Sequence, residues 1–204
     1  YMTKNCYVFI DASNMFYGTP NDQDWRVDFK KLTEYLKSKY KVKKFFYYSG
    51  VDTCGYEANI KSTAPYPIKN LLEYLTKLPK QRTGKNSQKI HKSIKKVQFF
   101  KKLEEFGYVL RLKPIKHIRT ESGLKLKANC DVDLTYDMLR LEPEYDSFIL
   151  LSGDGDFEIL LRYAREKGTR FAVLSHKEKT ARIIKEKYSR EYKEFSRIKS
   201  FIEK

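Results

Sequence analysis

The 204-residue sequence lacks the features that mark several large classes of protein. Its three cysteines, Cys6, Cys54 and Cys130, are widely spaced and form no Cys-x-x-Cys pair. A disulfide framework and a zinc knuckle are therefore not expected, and a reducing cytoplasm is the expected location. The longest apolar runs, such as residues 148–151, are far too short to cross a bilayer. No Gly-x-x-x-x-Gly-Lys-Ser/Thr segment is present, which excludes a P-loop nucleotide site.

Acidic residues are few relative to basic ones, with 26 Asp and Glu against 42 Lys and Arg and a formal net charge of +16. Residues 77–102 contain ten of the basic residues and no acid. A protein this basic most often binds a polyanion, and nucleic acid is the first candidate. We therefore predict a phosphate-binding surface, with a merely solvated helix face as the alternative. The candidate residues are Lys85, Lys89, Lys92, Lys95, Lys96, Lys102 and Lys127.

Short apolar segments alternate with amphipathic ones along the chain, and 41% of the residues are hydrophobic, which is enough for a core. The predicted strands are residues 6–10, 44–49, 108–112, 148–151 and 170–174. The predicted helices are residues 27–40, 67–78, 90–103, 131–141, 157–164 and 180–188. This alternation predicts an α/β fold in which helices cover both faces of a mainly parallel sheet.

The predicted organisation is a single domain over residues 1–204 with two additions. One is a basic helical insertion at about 77–106, which contains a loop over 83–88. The other is a loop or a projecting hairpin at about 114–127. The tail from residue 194 onwards carries spaced apolar residues, and we expect it to pack against the body of the protein.

Acidic and polar residues follow the first and fourth predicted strands directly. Asp11 and Asn14 come after the first strand, and Ser152, Asp154 and Asp156 come after the fourth. Ligands of parallel sheets bind beyond the carboxyl ends of the strands, so these are the residues to examine for chemistry. If the two strands are neighbours, Asp11 and Asp154 face each other.

A third acidic segment, Asp131, Asp133 and Asp137, lies at the start of a predicted helix. Taken alone, Asp131 is better explained as a helix cap, and the other two as a solvated helix face. Taken with Asp11 and Asp154, they predict a cluster of carboxylates that repel one another. A hard cation such as Mg²⁺ or Mn²⁺ relieves that repulsion, and in a basic protein a phosphodiester is the natural anion to complete its coordination.

Three segments, FIDASNMF (9–16), KANCDVDLTYDM (127–138) and ILLSGDGDF (149–157), resemble the NYN domain family, the LabA-like branch of the PIN-like ribonucleases. The resemblance implies a three-layer α/β/α fold and RNA hydrolysis that depends on Mg²⁺ or Mn²⁺. It also implies products with 5′-phosphate and 3′-hydroxyl ends.

The resemblance assigns roles to individual residues. Asp11, Asp131 and Asp154 would be catalytic metal ligands, and Asp156 would be a further ligand. The supporting residues would be Asn14, Ser152, Asp133 and Asp137. This sequence has one more residue and no glycine between Lys127 and the following acid, so either Asp131 or Asp133 is the residue that reaches the metal.

RNA is the expected partner, a membrane is not, and the sequence is compatible with a homodimer. Phe16, Tyr17 and Trp25 are candidates for stacking on unpaired bases. Two alternatives to a ribonuclease stay open. One is an RNA-binding or regulatory module that keeps the fold without cleaving, and the other is a structure-specific DNA nuclease.

Overall fold

The computed structural model describes residues 5–16, 27–59, 65–78, 85–120 and 123–204, with the backbone alone at 16, 85–86, 119–120 and 123–127. The chain divides into two compact units. One comprises the described residues up to Tyr48 together with Asp131–Lys204, and the other is Ser49–Cys130. None of the described helices is long and apolar enough to span a membrane.

The elements alternate largely as predicted. The strands are β1 (Cys6–Asp11), β2 (Val42–Val51), β3 (Tyr108–Pro114), β4 (Lys116–Thr120), β5 (Gly123–Lys127), β6 (Ser147–Leu151), β7 (Arg170–Ser175) and β8 (Tyr192–Glu194). The helices are α1 (Ala12–Phe16), α2 (Phe29–Tyr40), α3 (Ile68–Lys77), α4 (Lys85–Glu105), α5 (Asp131–Arg140), α6 (Glu158–Glu166), α7 (Arg182–Lys187) and α8 (Lys199–Ile202). Single 3₁₀ turns lie at Glu142–Glu144, Gly155–Phe157, Lys177–Lys179 and Phe195–Ile198.

The main sheet has six strands in the order β3-β2-β1-β6-β7-β8. β1 pairs in parallel with β2 and with β6, and the pairs β6–β7 and β7–β8 are parallel as well. The predicted fold class, an α/β protein with a mainly parallel sheet flanked by helices, is confirmed.

β1 lies in the interior of the sheet, and every one of its residues is buried. This burial explains its unbroken apolar run, since a strand covered on both faces has no solvent side on which polar residues would alternate. The register pairs Ile10 of β1 with Leu151 of β6. The next residues along the two strands, Asp11 and Ser152, therefore meet at the same edge of the sheet.

In the unit Ser49–Cys130, α3 packs against α4, and α4 packs against β3. β4 and β5 form an antiparallel hairpin in which Lys116 pairs with Lys127 and Thr120 with Gly123. The prediction of a loop over 83–88 is wrong for residues 85–88, which form the first turn of α4. Lysine and glutamine are good helix formers, and no Gly or Pro follows Gly84 to break the helix there. Residues 83 and 84 lie outside the described part of the chain.

Candidate active site

Asp11 ends β1 and is held in one orientation by its neighbours. Its side chain is 3% exposed. The Oδ1 atom accepts hydrogen bonds from Ser13 N at 2.9 Å, Ser13 Oγ at 2.6 Å and Asn14 N at 3.3 Å. These donors stabilise a buried negative charge, which would otherwise be costly to remove from water.

Ser152, which follows β6, joins the ends of the two strands. Its fully buried hydroxyl donates to Asp11 Oδ2 at 3.0 Å and accepts from Asp154 N at 3.2 Å. One serine therefore connects the carboxylate that follows β1 to the backbone of the acidic segment that follows β6. The predicted meeting of these two segments is what the structure shows.

Asn14 makes a second connection between the same segments. Its Oδ1 atom accepts a hydrogen bond from Gly153 N at 2.7 Å. Asp154 is half-buried and caps the 3₁₀ turn Gly155–Phe157, because its Oδ1 atom accepts from Asp156 N at 3.0 Å. The Asp156 side chain is exposed. We call Asp11, Asn14, Ser152 and Asp154 the strand-end network.

The acids of α5 have different environments. Asp131 and Asp133 are half-buried in its first turn, where negative charge interacts favourably with the helix N-terminus. Asp137 is buried, and its Oδ2 and Oδ1 atoms accept hydrogen bonds from Tyr48 Oη at 2.9 Å and Arg140 Nη2 at 2.7 Å. These contacts give Asp137 a structural role that its spacing on the helix did not reveal.

Sequence and structure comparisons identify the family. A family model for the NYN domain matches residues 5–193. The chain belongs to the NYN domain family. The resemblance to the NYN domain family predicted from the three motifs is therefore confirmed.

Three individual proteins are similar to this chain over most of its length. The NYN chain is 27% identical over 202 residues to the low amplitude and bright protein LabA of Synechococcus elongatus, covering 97% of this chain and 87% of the relative. It also matches the crystal structure of a protein of unknown function from Vibrio parahaemolyticus, with a TM-score of 0.56, 20% identity and coverage of 89% and 87% of the two chains. A crystal structure of the T5 D15 protein with metal ions aligns with a TM-score of 0.46 at 14% identity, over 90% of this chain and 60% of that one.

The predicted metal ligands are only partly brought together in this NYN domain. Across the described residues, no three Asp, Glu, His or Cys side chains are grouped so that they could hold a metal ion. The strand-end network contributes two of the predicted carboxylates, Asp11 and Asp154, linked through Ser152. The predicted set of Asp11, Asp131, Asp154 and Asp156 does not form one such group.

The predicted basic surface lies largely on α4 of the NYN domain. Val97, Phe100 and Leu103 form its buried side. Among the α4 lysines whose side chains the structure describes, Lys92, Lys95 and Lys102 are exposed. Lys96 is half-buried and places its Nζ atom 5.8 Å from the centre of the Phe100 ring.

Lys89, also predicted to contact RNA, forms an ion pair. Its Nζ atom lies 3.0 Å from Asp52 Oδ2 and 3.5 Å from His117 Nε2. Burial alone would raise the pKa of the Asp52 carboxyl, but hydrogen bonds from the Cys54 N–H and the Lys89 ammonium lower it below its ordinary value. The positive charge of Lys89 is therefore partly compensated.

Several predicted residues lie outside what the structure describes. The side chains of Lys85, Lys127 and Phe16 are among them, as are Tyr17 and Trp25. Sequence reasoning also missed Ser13, Tyr48 and Gly153. A hydroxyl two residues after a strand-end aspartate was the signal that could have revealed Ser13, whereas Tyr48 and Gly153 act through contacts with residues distant in sequence.

The role assigned to Asp137 predicts a loss of stability on its removal. Asp137→Ala leaves the buried Tyr48 hydroxyl without its acceptor, which should lower the free energy of unfolding by about 1–3 kcal/mol. The Arg140 ion pair adds little, because Arg140 is exposed. Urea unfolding of Asp137→Ala, Tyr48→Phe and the double variant checks this prediction. The double variant should be less destabilised than the sum of the two singles, and strict additivity would contradict the assignment.

Proposed function

We propose that this NYN domain is a metal-dependent ribonuclease that hydrolyses phosphodiester bonds at the strand-end network. The observation that supports this most strongly is the pairing of Asp11 with the Asp154 segment through the buried Ser152 hydroxyl. Two carboxylates follow adjacent parallel strands, where ligands of such sheets bind. The basic surface of α4 supplies the complementary charge for a polyanion.

The chemistry of the strand-end network fits a hard divalent cation such as Mg²⁺ or Mn²⁺. Its side chains offer oxygen atoms, which are the ligands that these ions prefer. Mg²⁺ is usually held by one or two carboxylates, with waters and substrate phosphates completing its shell. Asp11 Oδ2 accepts one described hydrogen bond, from a hydroxyl that is able to rotate, so it retains capacity as a ligand. Asp11 and Asp154 are the residues proposed to hold the ion.

Three further acidic residues have proposed roles at this site. Asp131 and Asp133 lie at the start of α5, which packs against β1. We assign one of them as the source of a further carboxylate when substrate is bound. Asp156, exposed beside Asp154, is proposed to contact water around the ion.

When bound, such a cation would polarise the phosphoryl group and lower the pKa of a coordinated water. The residues of the chain orient the groups that react. Asp11 is fixed through Oδ1 and presents Oδ2 at the carboxyl ends of the strands. The side-chain oxygen of Asn14 accepts from the Gly153 N–H, so the side-chain amino group of Asn14 faces away from Gly153. Water adds to phosphorus and loses a proton, the bond from phosphorus to the 3′-oxygen breaks, and that oxygen takes up a proton, so the products carry a 5′-phosphate and a 3′-hydroxyl.

Asp154→Asn tests this assignment. The substitution should lower the cleavage rate by about 100-fold or more while leaving RNA affinity nearly unchanged, since it removes a charge at the reacting phosphate and keeps the cap of the 3₁₀ turn. Asp28→Asn is the matched control, because Asp28 also caps a helix by accepting from backbone N–H groups, at the start of α2. Both variants lose one carboxylate and keep one cap. Equal activity in the two would contradict the site.

The choice of RNA over DNA is tested with the same preparation. RNA and DNA oligomers of one single-stranded sequence are offered in competition, and we expect the RNA to be cleaved first. Preferential cleavage of the DNA would identify a DNA nuclease, and binding of RNA without turnover would identify a regulatory module.

The basic surface of α4 gives a separate prediction. Replacing three exposed lysines of α4, Lys92, Lys95 and Lys102, by Gln should weaken RNA binding equally for different sequences. The slope of log affinity against log salt should fall by roughly 0.7 for each single-strand phosphate that these lysines neutralise in the parent protein. Filter binding between low and moderate salt measures both quantities.

The control for this triple variant has the same charge change elsewhere on the chain. It replaces three exposed lysines outside residues 77–102, Lys30, Lys43 and Lys69, by Gln. Its affinity and salt slope should stay closer to those of the parent. Equal slopes for the two triple variants would contradict a role of α4 in RNA binding and would indicate that its lysines form only a solvated helix face.

A further inference from the structure

The segment that follows β7 packs directly against the strand-end network. The Gly153 carbonyl accepts a hydrogen bond from Ala181 N at 2.8 Å, while the Gly153 N–H donates to Asn14. A Cβ atom on Gly153 would lie 2.7 Å from both Lys179 O and Thr180 Cα. The peptide between Ser152 and Asp154 is therefore held between Asn14 on one side and the turn at residues 179–181 on the other.

A buried pair of hydroxyls fixes this turn to the end of β7. Ser175 Oγ and Thr180 Oγ1 are 2.5 Å apart, and both side chains are buried. Thr180 Oγ1 also donates to His176 O at 2.7 Å. Either hydroxyl can donate the short bond, and Ser175 Oγ lies 3.4 Å from the same carbonyl oxygen, His176 O. These hydrogen bonds connect Thr180, in the turn at residues 179–181, to Ser175 at the end of β7 and to the next residue, His176.

We propose that Thr180 is a positioning residue for the strand-end network. The Thr180 hydroxyl keeps the turn at residues 179–181 in contact with Gly153. The position of Gly153 then fixes the positions of its neighbours, Ser152 and Asp154. The link to catalysis rests on the ribonuclease function proposed above. A misplacement of about 1 Å in a reacting group costs up to about 100-fold in rate, so even a small movement of this turn affects turnover.

A merely structural threonine provides the control. Thr33 on α2 is 5% exposed, as is Thr180, and its hydroxyl donates to the carbonyl four residues earlier, Phe29 O, at 2.7 Å. Thr33→Val and Thr180→Val therefore remove the same group from the same type of bond at equal burial. Thr180→Ser keeps the hydroxyl and serves as the rescue variant.

The first measurement is amide hydrogen exchange over residues 152–156, where the Gly153, Asp154 and Asp156 N–H groups are all hydrogen-bonded. Thr180→Val should raise exchange there by about tenfold or more, because residues 152–156 open locally when the turn at residues 179–181 no longer holds them in place. Thr33→Val and Thr180→Ser should leave it near the parent value. If Thr180→Val does not fold, Ser175→Ala, which removes the other hydroxyl, is measured instead. Unchanged exchange over these residues would overturn the proposal.

The second measurement is the split between kcat and KM for RNA cleavage. Thr180→Val should lower kcat by about tenfold with KM within about twofold, while Thr33→Val changes neither. A parent protein without cleavage activity would contradict the proposed ribonuclease function. The exchange data would still test whether Thr180 positions residues 152–156. Faster exchange together with a parent-like kcat would overturn the catalytic part of the proposal.

Discussion

Asp11→Asn should reduce the rate of RNA cleavage by about 100-fold or more, one of the two largest effects that the proposed function predicts. The asparagine keeps an oxygen to accept from Ser13 and Asn14, but it places an amino group where Asp11 Oδ2 meets the Ser152 hydroxyl. The charge proposed to hold a cation is lost, while the packing volume is retained. Single-turnover cleavage at saturating metal measures the effect.

The control for Asp11→Asn is Asp146→Asn. Asp146 directly precedes β6 and accepts from Asn5 N at 2.8 Å, so it lies at the opposite edge of the same sheet. It carries the same charge change without a place in the strand-end network, and its cleavage rate should stay at the parent value. An Asp11→Asn protein that is folded and within about threefold of the parent rate would contradict the role of Asp11.

Gly153→Ala should affect both stability and activity. The new Cβ would lie 2.7 Å from Lys179 O and Thr180 Cα and nearer still to Ser175 Oγ, and two of these three atoms belong to the backbone. Since the backbone cannot yield as a flexible side chain does, the cost should be about 2–3 kcal/mol in the free energy of unfolding. The displaced Asp154 should also lower cleavage by more than about tenfold.

Gly155→Ala, two residues further on, is the graded control. Its Cβ would lie 3.1 Å from the Ala181 Cβ, a contact that a small adjustment relieves. We expect it to cost less than about 1 kcal/mol. Thermal and urea unfolding compare the stabilities of the two variants. A Gly153→Ala protein as stable as Gly155→Ala would show that the packing at Gly153 is not tight.

Much of the fold follows from local pattern. The apolar run of β1 and the residues that end it predicted both a buried strand and the place of Asp11 at its carboxyl end. β8 was not predicted, because its three residues, Tyr-Lys-Glu, carry no run of apolar side chains and form a strand only by pairing with β7. Tertiary pairing rather than propensity decides such a short edge strand.

The same distinction applies to the candidate site. Asn14, Ser152 and Asp154 were predicted from motifs within a few residues of strand ends, and the structure links all three through hydrogen bonds. The partner of Asp137 was beyond prediction, because Tyr48 lies 89 residues away in sequence. Lys89 was assigned to an RNA surface from charge density, which does not reveal that Asp52 would partly compensate its charge.

The most direct test of the proposed function is cleavage of an end-labelled single-stranded RNA by the unmodified chain with Mg²⁺ or Mn²⁺, with EDTA, and with metal restored after EDTA. We predict cleavage in the first condition, none in the second and recovery in the third, with 5′-phosphate and 3′-hydroxyl ends on the products. RNA that is bound but stays intact with either metal, or cleavage that persists in EDTA, would contradict a metal-dependent ribonuclease.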